Sequence, residues 1–169
     1  MRKANREIQN FDEIVALLAR CDTLHIGMTG ESGPYVVPVS FGFEVVDGKI
    51  TLYFHGAKEG MKHDLLARNS RVCVEASVLH GYRGVGSSVT ADYESVIGFG
   101  KCTFVSDGEE IIHGLKLLTE HYGYNEYPLD RCAGLDHLLV GKIVLDEISG
   151  KKNLPGSLTP ADRAAAEPR

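Results

Sequence analysis

The clearest alternation of apolar and polar residues predicts, in order, a strand, a glycine-bearing turn, a short helix and a second strand. Every second residue from Ile50 to Phe54 is apolar, which is typical of a strand with one buried face. Gly56 and Gly60 then open the backbone ahead of a helix from about Met61 to Asn69 with apolar residues at i, i+4 spacing. Arg71 to Val78 is the next strand. We expect the rest of the fold to be built around this segment.

A capped helix and a hairpin are predicted before it. Asn10 and Glu13 form a capping pair ahead of an amphipathic helix. The apolar side of this helix contains Phe11, Ile14, Val15, Leu17 and Leu18. Strands are expected at Thr23–Met28 and Tyr35–Phe43, paired as a hairpin. Pro38 interrupts the second of these strands, and because proline cannot donate to a ladder, it implies a bulge or a sheet edge.

The middle of the chain is predicted to hold a tight turn, a long loop and a bent strand. Asp47-Gly48 is a strong hairpin signal. Residues 79–92, LHGYRGVGSSVTAD, are rich in Gly and Ser and predict a mobile loop that could act as a lid or a partner contact. Tyr93–Val105 follows as a long strand in which Gly98 and Gly100 permit the sharp bend of a small barrel.

The remaining pattern completes a mainly β domain with flanking helices. Glu109–Tyr122 is an amphipathic helix, and Leu138–Ile148 is the last strand. From Asn153 to Arg169 little can be buried, so we expect one domain over residues 1–152 and a flexible tail over 153–169. Six antiparallel strands with few charged interior positions close most economically as a β-barrel.

Composition excludes several classes of protein. A chain of 169 residues suits a single domain. Its net charge of −5 and scattered basic residues argue against a nucleic-acid or anionic membrane surface. No apolar run could span a bilayer, and the four cysteines show no C-x-x-C spacing, so we expect a soluble cytoplasmic protein with reduced thiols. The histidines show no H-E-x-x-H motif, and we expect no metal site.

Lys62 is the candidate for binding chemistry. A cation in the first turn of a helix opposes the helix dipole, whereas an anion docked there would make the lysine favourable. Glycines before a helix N-terminus leave free N–H groups, and the combination predicts a phosphate site. The alternative is a solvated surface lysine. No G-x-S-x-G motif is present, which argues against a serine hydrolase.

An ordered set of four motifs resembles a known family. The motifs are YVVPVSFGF (35–43), YFHGAKEGMKHDLLARNSRVC (53–73), YESVIGFGK (93–101) and EISGKK (147–152). Over about residues 1–152 the chain resembles the FMN-binding split barrels related to pyridoxamine 5′-phosphate oxidase, in their nitroimidazole-resistance (Nim-like) branch. The resemblance implies a six-stranded antiparallel split β-barrel and a homodimer with flavin at the subunit interface.

The resemblance also implies which residues contact the flavin. Lys62 would bind the phosphate, beside backbone of Gly56, Ala57, Gly60 and Met61. The contacts implied along the ring edge are Val37, Pro38, Val39 and Ser40, and those at a strand end are Tyr53 and His55. The remaining implied contacts are Ser95, Val96 and Lys101 on the bent strand, and Lys151, with Lys152, in the closing EISGKK motif. Each has an ordinary structural alternative, such as a polar strand end for His55 or a solvated basic end for Lys151.

Two functions follow from the resemblance. The first is an FMN-dependent oxidoreductase that reduces a small acceptor such as a nitroaromatic compound or a quinone, with His55 or Tyr53 as candidate proton donors. The second is a non-catalytic flavin- or haem-binding or sensing protein. The chain has no tryptophan and lacks the Trp/Arg-containing end of the parent oxidases, so vitamin oxidation is not expected. FAD or a deazaflavin in place of FMN stays open.

Overall fold

The fold of this chain is mainly β with three α-helices, as seen in a computed structural model that describes residues 4–126, 128 and 138–156. A short 3-10 turn, Ala4–Arg6, precedes the first strand. The strands and helices are, in chain order, β1 Glu7–Ile8, α1 Phe11–Leu18, β2 Leu24–Gly30, β3 Gly33–Val39, β4 Phe41–Val46, β5 Lys49–Ala57, α2 Met61–Arg68, β6 Arg71–Val85, β7 Ser88–Phe104, α3 Gly108–His121 and β8 Leu138–Asn153.

Eight strands, rather than the predicted six, form one antiparallel sheet in the described part of the chain. They are hydrogen-bonded in the order β3-β2-β6-β7-β8-β5-β4, and β1 pairs with β8. Two differences account for the two additional strands. The predicted strand Tyr35–Phe43 divides at Ser40 into β3 and β4, and the two-residue β1 is too short to leave a pattern in the sequence. The sheet is not closed, since β3 and β4 are its two ends.

The chain divides into two compact units. The first unit consists of the described residues within Met1–Cys21, Ala76–Ile97 and Ser149–Arg169, and the second of those within Asp22–Glu75 and Gly98–Ile148. Strands β6, β7 and β8 each contribute residues to both units.

In the first unit, α1 begins as predicted. The Asn10 side chain accepts hydrogen bonds from the backbone N–H groups of Asp12 and Glu13, at 2.8 and 3.3 Å. Glu13 does not close the cap reciprocally, because its carboxylate pairs with Lys152. The helix buries Ile14, Leu17 and Leu18.

The prediction of a loop over residues 79–92 is wrong. Strands β6 and β7 extend through it and meet at a two-residue turn of Gly86, with φ of 57°, and Ser87. The segment is held by polar contacts, including Arg83 with Asp92 at 2.6 Å. Because these strand positions alternate between half-buried and exposed, with glycines and polar residues on both sides, no hydrophobic period reveals them.

Strand β8 also continues into the first unit beyond its predicted end at Ile148. Asn153 belongs to the strand and is buried, and its side-chain amide donates to the Thr90 hydroxyl at 3.0 Å. The ordered chain therefore runs past the predicted start of the tail. Residues 157–169 lie outside the described part, and their flexibility stays a prediction.

In the second unit, β5 is buried on both faces, although its alternation predicts one. All residues from Ile50 to Phe54 are buried because α3 covers the face that carries Tyr53. The closest contact is at Gly114 of α3, where a Cβ would lie 2.6 Å from the Tyr53 ring. The predicted turn from β4 to β5 is confirmed, with left-handed φ of 50° at Asp47 and 74° at Gly48.

Pro38 lies on an edge strand and not in a bulge. Strand β3 is at one end of the sheet, and its register with β2 is continuous, pairing Leu24 with Val39 and His25 with Pro38. Proline is tolerated on an edge strand because the outer side of such a strand has no ladder partner that needs an N–H donor. The interruption of the strand comes two residues later, at Ser40.

Glycine on β7 permits a close approach to β8. A Cβ at Gly100 would lie 2.3 Å from the carbonyl oxygen of Val144, which no side chain could tolerate. Of the cysteines, Cys21 and Cys102 are buried and Cys73 is half-buried, while Cys132 lies outside the described residues. None of the helices in the described chain is long and apolar enough to cross a bilayer.

Candidate functional site

The start of α2 has uncapped amide groups. Gly60 occupies the N-cap position with φ of 110°, a left-handed conformation that favours glycine, and it offers no side-chain cap. The first amide recorded in a helical bond is that of Asp64, which donates to the Gly60 carbonyl oxygen at 3.0 Å. N–H groups of the first turn therefore point out of the helix without a capping acceptor, as an anion site requires.

Lys62 folds back from this first turn over strand β5. Its ammonium nitrogen lies 5.0 Å from the centroid of the Phe54 ring, and a Cβ at Gly56 would come within 2.7 Å of it. The absence of a side chain at Gly56 thus makes room for the lysine. Lys62 is half-buried, and burial lowers its pKa, with Cys102 acting weakly in the other direction.

Nothing in the described part of the chain neutralises Lys62 by an ion pair. The lysine is partly removed from water and its charge is uncompensated, a costly state that a bound anion would relieve. The site therefore fits a phosphate group, on the basis of an uncapped helix start and a desolvated cation beside it.

His55 lies two residues before the end of β5, close enough to Lys62 for the ammonium charge to affect its pKa. It is exposed, and partial desolvation of its ring, followed by the Lys62 ammonium, lowers its pKa below the usual value of about 6.5. At neutral pH the imidazole is therefore uncharged, and it can donate or accept a single hydrogen bond. Burial raises the pKa of the nearby Cys102 thiol to about 12, so this cysteine is not a thiolate nucleophile.

Tyr53 has a structural role. It is buried under α3, and its hydroxyl donates to carboxylate oxygens of Glu44 and Glu110, at 3.2 and 3.4 Å. His113 contacts Glu44, and Lys142 pairs with Glu110. Burial, followed by the two carboxylates, raises the pKa of Tyr53, which makes it a poor proton donor.

Substitution of Tyr53 by Phe tests this role. We expect the variant to lose about 1–2 kcal/mol of unfolding free energy at pH 7, because two carboxylates lose a buried donor. A raised pKa in the folded state stabilises the protein fully below the unfolded value of about 10 and is lost as pH rises above it. Urea unfolding from pH 7 to 11 should therefore show stability falling above pH 10 in wild type and less steeply in the variant. Identical slopes would contradict this assignment.

The predicted contacts on β3 and β7 in the second unit are accessible. Val37 and Val39 are half-buried, whereas Pro38, Ser40 and Lys101 are exposed. Ala57, at the end of β5, is also exposed.

Two of the predicted flavin contacts in the first unit line the same cavity. Ser95 and Lys151 line a shallow cavity of about 350 Å³ together with Glu7, Ile97 and Ser149. Val96 is buried in the core. Lys152 is held by Glu13. The structure thus brings Ser95 together with Lys151, and His55, Gly56 and Met61 together with Lys62 around the start of α2.

A cavity of about 450 Å³ in the second unit was not predicted from the sequence. It is lined by the tip of the β2–β3 hairpin, Gly30–Tyr35, and by Met61, Asp64, Leu65 and Arg68 of α2. Only Met61 was a predicted contact. The i, i+3, i+4, i+7 spacing of the four helix residues was a usable signal, but the turn opposite them carried none. The described residues contain no cluster of His, Cys, Asp and Glu suited to a metal ion.

Comparison with known proteins identifies the family. The family model described as pyridoxamine 5′-phosphate oxidase matches residues 10–152, so the chain belongs to this family. No match occurs among curated proteins.

Solved structures agree with this assignment. A candidate 5-nitroimidazole antibiotic resistance protein from Bacteroides thetaiotaomicron is 33% identical, with 86% of this chain and 85% of that one covered and a TM-score of 0.72. The flavocytochrome Anf3 from Azotobacter vinelandii is similar in fold, at 20% identity, coverage of 98% and 77%, and a TM-score of 0.79. So is the FAD and heme binding protein from Mycobacterium smegmatis, at 21% identity, coverage of 95% and 80%, and a TM-score of 0.74.

Proposed function

We propose that this protein is an FMN-binding oxidoreductase that reduces a small acceptor. The observation that carries the proposal is the half-buried Lys62, which has no ion pair within the described residues and lies beside the uncapped start of α2. When bound, the flavin would supply the redox chemistry.

The residues of the chain would bind the flavin, orient it and shield it. Lys62 and the first amides of α2 hold the phosphate by charge-assisted hydrogen bonds. Gly56 leaves space for the lysine in this conformation, since a Cβ there would lie 2.7 Å from the ammonium nitrogen. His55, uncharged at neutral pH, offers one N–H donor at the end of β5 to a polar atom of the flavin or the acceptor.

One comparison supports the proposed class of acceptor. Similarity at 33% identity to a candidate 5-nitroimidazole resistance protein supports a nitroaromatic acceptor, with a quinone as the chemical equivalent. The alternative function, a flavin or haem carrier without turnover, is supported by the fold shared with a flavocytochrome and with a FAD and heme binding protein.

Identification of the bound chromophore tests the proposal. We expect the purified full-length protein to take up FMN stoichiometrically, to release it on denaturation, and to oxidise NADH or NADPH when a nitroaromatic compound is present. The measurements are absorbance spectra, chromatography of the released chromophore and steady-state turnover. A Soret band with no flavin would instead support the haem alternative, and flavin without turnover would support a carrier.

We also propose a homodimer with flavin at the subunit interface, in the reducing cytoplasm. Exposed apolar side chains along the β6–β7 hairpin support association with a second copy, among them Leu79, Tyr82 and Val89. Sedimentation equilibrium should give twice the 18.4 kDa chain mass. A monomer that retains flavin fully would be inconsistent with a shared site.

A further inference from the structure

The cavity between α2 and the β2–β3 hairpin lies apart from Lys62. Its helical wall consists of Met61, Asp64, Leu65 and Arg68, and the i, i+3, i+4, i+7 spacing of these residues places them on one face of α2. Lys62 projects about 100° further around the helix and lies over β5 instead. The cavity is therefore a second candidate site, and it is independent of the proposed flavin site.

The apolar part of the lining suits an aromatic ring. On the hairpin side, Tyr35 is half-buried and Pro34 is exposed. On the helix side, Leu65 is 8% exposed and Met61 is 60% exposed. Aromatic side chains and flexible thioethers both pack favourably against a ring. The volume of about 450 Å³ lies within the range of small-molecule sites.

The charged part of the lining has an excess of one negative charge. Glu31 and Asp64 supply two carboxylates, and Arg68 is the single cation among the described lining residues. Arg68 pairs with Glu31 between the helix and the hairpin, so these two charges compensate each other. The carboxylate of Asp64 remains. Its Oδ1 lies 3.2 Å from Nδ1 of His63, and its Oδ2 accepts no hydrogen bond within the described residues.

We propose that this cavity binds a small aromatic amine in its protonated form. The ring would pack against Tyr35 and Leu65, and the ammonium group would donate a charge-assisted hydrogen bond to the Asp64 carboxylate. A cation close to the face of a tyrosine ring gains a further electrostatic attraction. An aromatic carboxylate of the same size is disfavoured, because it would have to displace Glu31 from Arg68 and would be repelled by Asp64.

Calorimetric titration of the full-length protein with three probes of similar size tests the inference. The probes are 2-phenylethylamine, 2-phenylethanol and phenylacetate, which are cationic, neutral and anionic at pH 7. Each is titrated against wild type, Asp64→Asn, Tyr35→Ala and Tyr35→Phe. Glu109→Gln is the matched control, because Glu109 is an exposed carboxylate in the first turn of a different helix, α3. Thermal melts establish that each variant folds.

We expect wild type to bind 2-phenylethylamine about tenfold or more tighter than 2-phenylethanol, the scale of a hydrogen bond to a charged group, and phenylacetate more weakly than either. Asp64→Asn should reduce the affinity for the amine to that for the alcohol and leave the alcohol unchanged. Tyr35→Ala should weaken the binding of both, whereas Tyr35→Phe and Glu109→Gln should leave both unchanged.

Several results would overturn the inference. Equal affinities of wild type for the amine and the alcohol would do so, as would tighter binding of phenylacetate or no binding of any probe. A preference for the amine that persists in Asp64→Asn would also overturn it. The comparison of the three probes on wild type needs no variant, so it remains decisive even if a substitution prevents folding.

Discussion

Lys62→Ala is expected to weaken FMN binding by about 10- to 150-fold. The substitution removes a hydrogen bond to a charged group, worth roughly 1.5–3 kcal/mol, and each 1.4 kcal/mol is about one decade of affinity. Riboflavin has no phosphate, so its affinity should change little. Titration of wild type and variant with both ligands, followed by flavin fluorescence, measures the difference.

The stability of the apoprotein provides a second readout for the same variant. Lys62 is a half-buried cation without an ion pair in the described residues, at the positive end of a helix dipole. Its removal should therefore leave the melting temperature of the apoprotein unchanged or slightly raised. Lys49→Ala is the matched control, because Lys49 is an exposed lysine at the start of β5. Equal losses for FMN and riboflavin, or none for either, would mean that the phosphate binds elsewhere and that Lys62 is a solvated lysine.

Gly42→Ala should cause the largest loss of stability, about 3 kcal/mol of unfolding free energy. A Cβ at Gly42 of β4 would lie 2.3 Å from the backbone nitrogen of Leu118 and 2.4 Å from the carbonyl carbon of Leu117, both on α3. Backbone atoms in the middle of a helix cannot rotate away, so the helix must shift from the sheet, and overpacking of this kind costs roughly 1–3 kcal/mol or more. Urea unfolding at constant pH measures the loss.

Gly108→Ala is the control for this substitution. Gly108 is the first residue of α3, and a Cβ there would meet no atom within 4 Å. Replacing glycine in a helical turn normally stabilises by about 0.4–1 kcal/mol. Surface substitutions usually change the free energy of unfolding by no more than about 0.5 kcal/mol. If Gly42→Ala stays within that range of wild type, α3 is not held against β4 as described.

Much of the candidate site was predictable because its signals are local. Lys62 in the first turn, Gly56 and Gly60 before it, and His55 near the end of the strand are all within eight consecutive residues. What could not be predicted is the state of the lysine. Its ammonium lies over the Phe54 ring and interacts electrostatically with Cys102, which is on a strand forty residues away in the chain.

Tyr53 illustrates the opposite outcome. The resemblance to the flavin-binding family implied contacts at both Tyr53 and His55, and both were candidate proton donors. The packing of α3 covers Tyr53 but not His55, and only the position of that helix separates a buried structural hydroxyl from an accessible imidazole. The cavity between α2 and the β2–β3 hairpin was missed for the same reason, since its two walls come from separate parts of the chain.

The amino-acid sequence alone determined the three helices, the Asp47-Gly48 turn and the mainly β character, because caps, helical spacing and left-handed backbone conformations are properties of neighbouring residues. Tertiary structure alone decided that residues 79–92 form two strands and a tight turn, that β5 is buried on both faces, and that α2 lines a cavity. Those outcomes depend on which distant segments supply hydrogen-bond partners and cover apolar faces. The periodicity of apolar residues along the chain does not indicate which segments these are.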